Sequence, residues 1–402
     1  MPRSGALPQV SLRRGSERTL LQGHPWVYSG AVERAPEVPP GTVVDVVDHR
    51  GRFVLRGHFN PRAPIRVRAL SWDPGERIDA AFLRRRLAAA LALRQQAGLR
   101  AFTDAFRLVH GEGDGLPGLV VDEYAGFLVL QVHTAGMEAL RASLLDELWE
   151  LCAPRGIFER SDVGTRRAEG LPGRPTGLLR GEPPPALIPI REHGVRLFVD
   201  VYHGQKTGFF LDQRDNRLRV QRLARGQRVL GLFAYTAAFS AHAQQGGAAR
   251  TLDVDIGLHG LAAARSNLAA NLAPGGRWDY VVANAFPFVE TLAERGPRFD
   301  IVVIDPPSLV RKQEQLEHAL GVYTKLNRNA LRLVRSGGLL VTASCSARVS
   351  AEDFFQVIRH AAAGAGVRLR IQWLSHEPPD HPVDPALPEG RYLKCAGARV
   401  LR

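Results

Sequence analysis

The chain has 402 residues and a formal net charge of +13; that length exceeds what one hydrophobic core ordinarily organises, and the positive excess suits a polyanionic partner such as RNA, DNA or an anionic membrane surface. Three cysteines, Cys152, Cys345 and Cys395, lie far apart without a pairing pattern, which excludes a disulfide framework or a zinc site and implies a reducing compartment, the cytoplasm. The opening MPRSGALPQVSLRRG lacks an apolar core and no apolar run reaches the roughly 18 residues of a spanning helix, so secretion and membrane insertion are not expected.

From Val10 to about Trp72 the chain reads as short β-rich runs, Thr42–Val47, Phe53–Phe59 and Ile65–Ala69, separated by Pro39-Pro40-Gly41 and His49-Arg50-Gly51. This predicts a small all-β module over residues 1–75. After Asp73-Pro74-Gly75, the spacing of Ala80, Leu83, Leu87, Ala90 and Leu91 predicts a helix over Ile78–Gln96, opening a middle α/β domain over 76–187. Arg94 breaks the apolar face of that helix and is expected to reach back to water on its long stem. Strands are predicted at Phe106–His110, Gly118–Asp122, Phe127–His133 and around Gly156–Arg160, with one amphipathic helix over Met137–Leu151 and a loop over the Pro- and Gly-rich Leu171–Pro185.

Beyond Ile188 strands alternate with helices, the rhythm of a parallel sheet covered on both faces, over 188–402. The predicted strands are Arg228–Phe233, Arg250–Asp255, Tyr280–Ala283, Phe299–Ile304, Gly338–Ala343, Arg368–Trp373 and Tyr392–Leu401, with helices such as Leu258–Asn271 and Glu317–Val334 between them. The first runs into small residues, Phe233-Ala234-Tyr235-Thr236-Ala237-Ala238, at a helix start, where backbone can approach a ligand. The second ends at Asp255, where a doubly wound fold places the carboxylate that holds ribose hydroxyls; a nucleotide-type cofactor follows. The glycine fingerprint of a dinucleotide site is missing from the turn. The fourth strand ends in Asp305-Pro306-Pro307-Ser308, an acidic residue and a stiffened turn typical of methyltransferases acting on nucleobases. The fifth runs to Ser344-Cys345-Ser346, so Cys345 is the candidate nucleophile, beside Asp305 if those strands are neighbours. Cys152 and Cys395 read as packing residues.

With these residues in place, the chain resembles, over nearly its whole length, the bacterial 23S ribosomal RNA cytosine-5 methyltransferases with an N-terminal PUA domain. The matching segments are Gly23–Gly30, Gly111–Gly118, Gly204–Arg214, Asp305-Pro306-Pro307 and Ser344-Cys345-Ser346. The resemblance implies a PUA β-barrel, a small α/β middle domain that handles RNA, and a C-terminal class I, Rossmann-like domain with a seven-stranded sheet. It implies S-adenosylmethionine as cofactor, held by Lys206, Thr207 and Gly208 together with Phe233, Tyr235, Thr236, Asp255, Asn284, Asp305 and Pro306. The partner it implies is large-subunit ribosomal RNA, with the target base single-stranded or flipped out of its helix; oligomeric state, a homodimer included, stays open.

Two positions depart from the family pattern. Ala237-Ala238 stand where relatives carry two glycines, so the cofactor must tolerate two extra methyl groups or the loop is displaced. Asn284 stands where an acidic residue commonly contacts the adenine amine; its side-chain oxygen can still accept that bond. In the implied chemistry Cys345 adds to carbon 6 of the base and Asp305 stabilises the charge that develops on the ring. Ser308 occupies the place where some cytosine-5 enzymes have a second cysteine, so release must proceed differently here. Methylation of another RNA atom, and a non-catalytic RNA-binding role in ribosome assembly, are the alternatives.

Overall fold

The computed structural model describes residues 7–173, 176–310 and 312–402, so the first six residues and positions 174 and 175 of the expected 171–185 loop lie outside it. The chain divides into two compact units: residues up to Ile188 with Gln205–Phe209 and Pro379–Gly390, and Pro189–Gly204 with Phe210–Pro378 and Arg391–Arg402.

The first unit begins with β1 (Gln9–Leu12), β2 (Trp26–Tyr28), β3 (Val32–Arg34), β4 (Thr42–Val47), β5 (Phe53–Phe59) and β6 (Ile65–Ser71). They form one sheet in the order β2-β6-β5-β4-β1-β3. Alternation along these strands turns Val10, Leu12, Val44, Val46, Leu55 and Val67 into a shared core. A second sheet follows from β7 (Ala105–His110), β8 (Leu119–Tyr124), β9 (Phe127–Val132), β10 (Gly156–Glu159) and β11 (Gly177–Gly181), in the order β11-β10-β9-β8-β7. The helix Ala80–Gln96, whose N-cap Asp79 accepts from the Phe82 amide, packs Phe82, Leu83 and Leu87 onto this sheet. Arg68 of β6 pairs with Glu112 at 2.9 Å and Glu169 at 3.2 Å, and the Trp26 indole donates to Glu112. These ties hold the two sheets in one unit.

Three expectations for this unit change. Arg94 does not reach water: it is buried, paired with Asp114 at 2.5 Å, and donates to the carbonyls of Arg107 and Asp380. A guanidinium with its donors met inside the unit has no need of solvent. The single helix over Met137–Leu151 is two, Ala135–Ala139 and Arg141–Cys152, the first started by the Thr134 hydroxyl accepting from the Met137 amide. The Pro- and Gly-rich loop contains β11, antiparallel to β10, because ladder bonds and packing of Leu179 on the core outweigh flanking residues that favour turns.

The second unit opens with a hairpin, β12 (Ile188–Glu192) and β13 (Val195–Val199). Then come β14 (Arg228–Leu232), β15 (Arg250–Asp255), β16 (Arg277–Val282), β17 (Phe299–Ile304), β18 (Val334–Ser344), β19 (Arg368–Ser375) and β20 (Lys394–Leu401). They build a seven-stranded sheet in the order β16-β15-β14-β17-β18-β20-β19, with β20 antiparallel to both neighbours. Leu230, Leu232, Val302, Ile304 and Leu340 enter one core, while Val229, Ile301, Val303, Leu339 and Val341 enter another on the opposite face. Such strands read as unbroken apolar runs because both faces are covered. The chain leaves β14 toward β15 on one side and returns to β17 on the other, which opens a crevice at the carboxyl ends of β14 and β17.

Candidate active site

The segment after β14 is held under backbone strain. Phe233, Tyr235 and Ala237 all have left-handed backbone, with φ of 60°, 47° and 54°, and Lys206 shares that state at 57°. Four of the seven non-glycine residues with positive φ among the described residues therefore fall in the two segments singled out for a cofactor. Strain of this kind survives only where surrounding contacts over-determine it. Here they do. The Tyr280 hydroxyl donates to the Tyr235 carbonyl at 2.9 Å, and the Asn267 amide donates to the Thr236 carbonyl at 2.8 Å. Asp255, at the end of β15, accepts from the Tyr235 amide at 2.9 Å and from the Gly257 amide at 2.7 Å, one bond to each oxygen. The carboxylate is thereby aimed before any ligand arrives, with lone pairs to spare.

The two alanines are accommodated. The Ala237 side chain packs with Ala264 and Leu268, while Ala238 starts the helix Ala238–Gln245. Asn284 is exposed and caps the helix Ala285–Arg295, its side-chain oxygen accepting from the Phe286 amide at 3.1 Å. Ile256 and Val282, next to Asp255 and just ahead of Asn284, are exposed apolar residues at the carboxyl ends of β15 and β16.

β17 and β18 are parallel neighbours, with Ile304 opposite Thr342. Asp305 and Cys345 therefore leave adjacent strand ends, and the Cys345 thiol donates to the Pro306 carbonyl with sulfur 3.7 Å from oxygen. Burial and the nearby Asp212 carboxylate raise the Asp305 carboxyl to about 7, against a hydrogen bond from Gln213 and the field of Arg217. It is thus shared between acid and carboxylate near neutrality. Burial disfavours the thiolate form of the other two cysteines, pushing Cys152 up to about 11 and Cys395 up to about 12.

Lys206, Thr207 and Gly208 belong to the first unit. The Thr207 hydroxyl is fully buried, donating to Asp122 at 2.6 Å and bonded to the Tyr124 hydroxyl at 2.9 Å, whereas Lys206 is exposed. Sequence reasoning passed over two groups. Asp253, two residues before Asp255, is buried under the loop with Ser240 donating to it at 2.8 Å, and burial raises it to about 7. A side chain at Gly231 would collide with it, so this glycine makes its room. Lys394, the first residue of β20, is the single buried lysine among four. Its rarity inside a strand was the available signal.

The profile of the S-adenosylmethionine-dependent methyltransferase family matches residues 107–392, and that of a PUA-like domain matches residues 10–72. Proteins named ribosomal RNA large subunit methyltransferase I from Escherichia coli and Shigella boydii are each 41% identical over 98% of this chain and 99% of their own length. Two solved chains share the fold: a methyltransferase of Streptococcus mutans, 23% identical with a TM-score of 0.83, and the SMU.776 methyltransferase complexed with SAH, 22% identical with a TM-score of 0.84. Each alignment covers 98% of this chain and 100% of the other. Among the described residues no helix is long and apolar enough to cross a membrane. The cofactor is S-adenosylmethionine, and with its catalytic profile across most of the sequence the chain belongs to the S-adenosylmethionine-dependent methyltransferase family, among the relatives of the large-subunit ribosomal RNA methyltransferases, and carries a PUA-like domain at its front.

Proposed function

We propose that the protein methylates carbon 5 of a cytosine in large-subunit ribosomal RNA through a covalent adduct on Cys345. The observation that carries this is the placing of Asp305 and Cys345 at adjacent ends of β17 and β18. When bound, S-adenosylmethionine supplies the electrophilic methyl group. The residues present fit it: the Asp255 carboxylate for the ribose hydroxyls, the strained backbone of Phe233, Tyr235 and Ala237, with Thr236 between them, for close approach, the exposed faces of Ile256 and Val282 for a flat ring, and Asn284 for its amine. Pro306 stiffens the turn that carries Asp305. Lys206, Thr207 and Gly208 join on the family pattern; with the Thr207 hydroxyl engaged, Lys206 is the side chain left to reach a ligand.

Carbon 5 of cytosine is a weak nucleophile, and the Cys345 thiolate remedies this by adding to carbon 6 and pushing electron density to carbon 5. A carboxylic acid offers one donor and one acceptor, the complement of ring N3 and the exocyclic amine. Asp305, raised to about 7, holds that proton near neutrality and stabilises the charge the addition creates. After methyl transfer the carbon 5 proton leaves to a base and the carbon 6 to sulfur bond breaks, restoring the ring and the thiolate. Ser308, exposed with its hydroxyl toward the Val310 carbonyl, is no second thiol for that release. The front β module and the middle domain present the RNA, and the target base is unpaired or flipped.

The test is trapping. Ribosomal RNA transcribed with 5-fluorocytidine should give a stable protein–RNA adduct with the wild type, since fluorine blocks the proton loss that frees sulfur. Cys345→Ala should form no adduct and transfer no methyl group while binding cofactor as before. Cys152→Ala and Cys395→Ala should both still trap. Methyl transfer by Cys345→Ala with no adduct on any cysteine would leave a methyltransferase acting at a different RNA atom, and an adduct on another cysteine would overturn the assignment of Cys345 as nucleophile.

A further inference from the structure

We infer that Lys394 is the positioning residue of the Cys345 thiolate, a buried ammonium that fixes the strand-end turn carrying the cysteine and favours its ionised form. The inference rests on the nucleophile assignment above. Its geometry is independent of it. Lys394 lies directly opposite Ser344 in the β18–β20 ladder, and its ammonium reaches past that pair to donate to the Ser346 carbonyl at 2.5 Å and the Tyr392 carbonyl at 2.9 Å. The bonded carbonyl belongs to the residue after Cys345, so one side chain spans the turn from its ladder partner to its far side. Two of the three ammonium protons are used, and no carboxylate oxygen stands within ion-pair distance of Lys394 among the described residues.

A lysine that is only 5% exposed and lacks a close carboxylate is costly to keep charged. Burial accordingly lowers it to about 8, so it is still mostly protonated at neutral pH. The charged groups around it are Glu377, Cys345, Arg391 and Asp353, and Cys345 also feels Tyr323, whose hydroxyl lies against the Pro307 carbonyl. Glu377 is occupied in accepting from the Leu393 amide at 2.6 Å. An aliphatic residue would fill the space of Lys394 more cheaply, and a structural tie to two carbonyls needs no net charge. A positive charge beside a thiol does have a use, since it raises the thiolate fraction that attacks.

The test follows alkylation of each cysteine by iodoacetamide in the full-length protein as a function of pH, read by peptide mass spectrometry. Cys152 and Cys395 serve as references in the same molecule. In the wild type the midpoint for Cys345 should lie below the ~8.5 of a free thiol. Lys394→Met should move that midpoint up by about one pH unit and slow alkylation at pH 7 roughly tenfold, and Lys394→Arg should keep most of the wild-type rate. A purely structural lysine would change thermal stability and leave the midpoint where it was, which overturns the proposal. A wild-type midpoint at or above 8.5 overturns it too, and that measurement decides the matter if Lys394→Met does not fold. If instead Cys345→Ala still transfers methyl groups while the midpoints shift as expected, the nucleophile assignment falls and the coupling of Lys394 to Cys345 stands.

Discussion

Buried charge is handled in opposite ways in the two units. In the first unit buried and half-buried arginines meet carboxylates directly: Arg94 with Asp114 at 2.5 Å, Arg107 with Asp122 at 2.8 Å, Arg166 with Glu138 at 2.9 Å. In the second unit the same device appears where Glu192 of the hairpin pairs with Arg217 at 2.6 Å. At the carboxyl edge of the seven-stranded sheet it stops. Asp253 and Asp305 are raised to about 7 and Lys394 is lowered to about 8, each mainly by burial, and none of the three forms an ion pair among the described residues. Pairing serves to build a fold; its absence leaves groups poised near neutral pH, where proton and thiolate chemistry operates.

The largest effect should come from breaking a pair. Arg94→Ala strands Asp114, whose side chain is 3% exposed, and removes donors to three backbone carbonyls, those of Ala90, Arg107 and Asp380. Loss of one partner of a buried pair costs about 3 to 5 kcal/mol. Urea denaturation should show that loss, while cofactor affinity, to which Arg94 contributes no proposed contact, stays within twofold or so. A loss under about 1 kcal/mol would mean that water takes over the role of the arginine.

At the unpaired edge the sign reverses, because there removal of charge should help. The Asp253 carboxyl moves from its ordinary 3.8 to about 7, so the folded state holds the proton more tightly than the unfolded chain. Its contribution to stability is full below the unfolded value and is lost as pH rises through about 7. Asp253→Asn keeps an acceptor for Ser240 and cannot ionise. It should flatten the fall in stability between about pH 4 and 7, by on the order of 2 to 4 kcal/mol, leaving the share that Asp305 contributes with the same sign. Thermal unfolding of both proteins at pH 5 and pH 8 reads this. Parallel pH profiles would place Asp253 in contact with water.

What the sequence disclosed follows the same division. Local periodicity and turn chemistry identified β15 and β17 to the residue, and Asp305 and Cys345 were legible because each ends a long apolar strand. Their adjacency needed the strand order, which no local pattern carries. Arg94 was misread because a helical stripe counts arginine as polar, although its partner Asp114 lies 20 residues away at the end of the short 3-10 helix Gly111–Asp114. Asp253 was hidden for a related reason. Alternation within Leu252-Asp253-Val254-Asp255 says that the two acids share a face, and only the packing of the preceding helix, through Ser240, separates the buried one from the one at the crevice. The hairpin β12–β13 went unnoticed because its short runs gain their stability from Asn267 and Asn271, whose side-chain oxygens accept from the Phe198 and Arg196 amides.

The smallest effect belongs to the loop between these regimes, where strain rather than charge is held in place. Ala237 has φ of 54°, a conformation that costs an alanine roughly 1 to 2 kcal/mol and a glycine almost nothing. Ala237→Gly should recover that strain. It should also lose a buried methyl packed with Ala264 and Leu268, about 0.8 kcal/mol, and free the unfolded chain by roughly 0.4 to 1 kcal/mol. The terms oppose each other and nearly cancel, so stability should change by less than about 1 kcal/mol in either direction. Cofactor affinity is the more telling readout. The methyl group packs toward the helix Leu261–Ala270, and Tyr280, Asn267 and Asp255 continue to hold the loop in its place. Calorimetry with S-adenosylmethionine should therefore find the dissociation constant unchanged within about threefold, under 1 kcal/mol. Binding tightened tenfold or more would mean that the methyl stands in the path of the cofactor, and that the strain at this turn limits affinity instead of preparing the site for it.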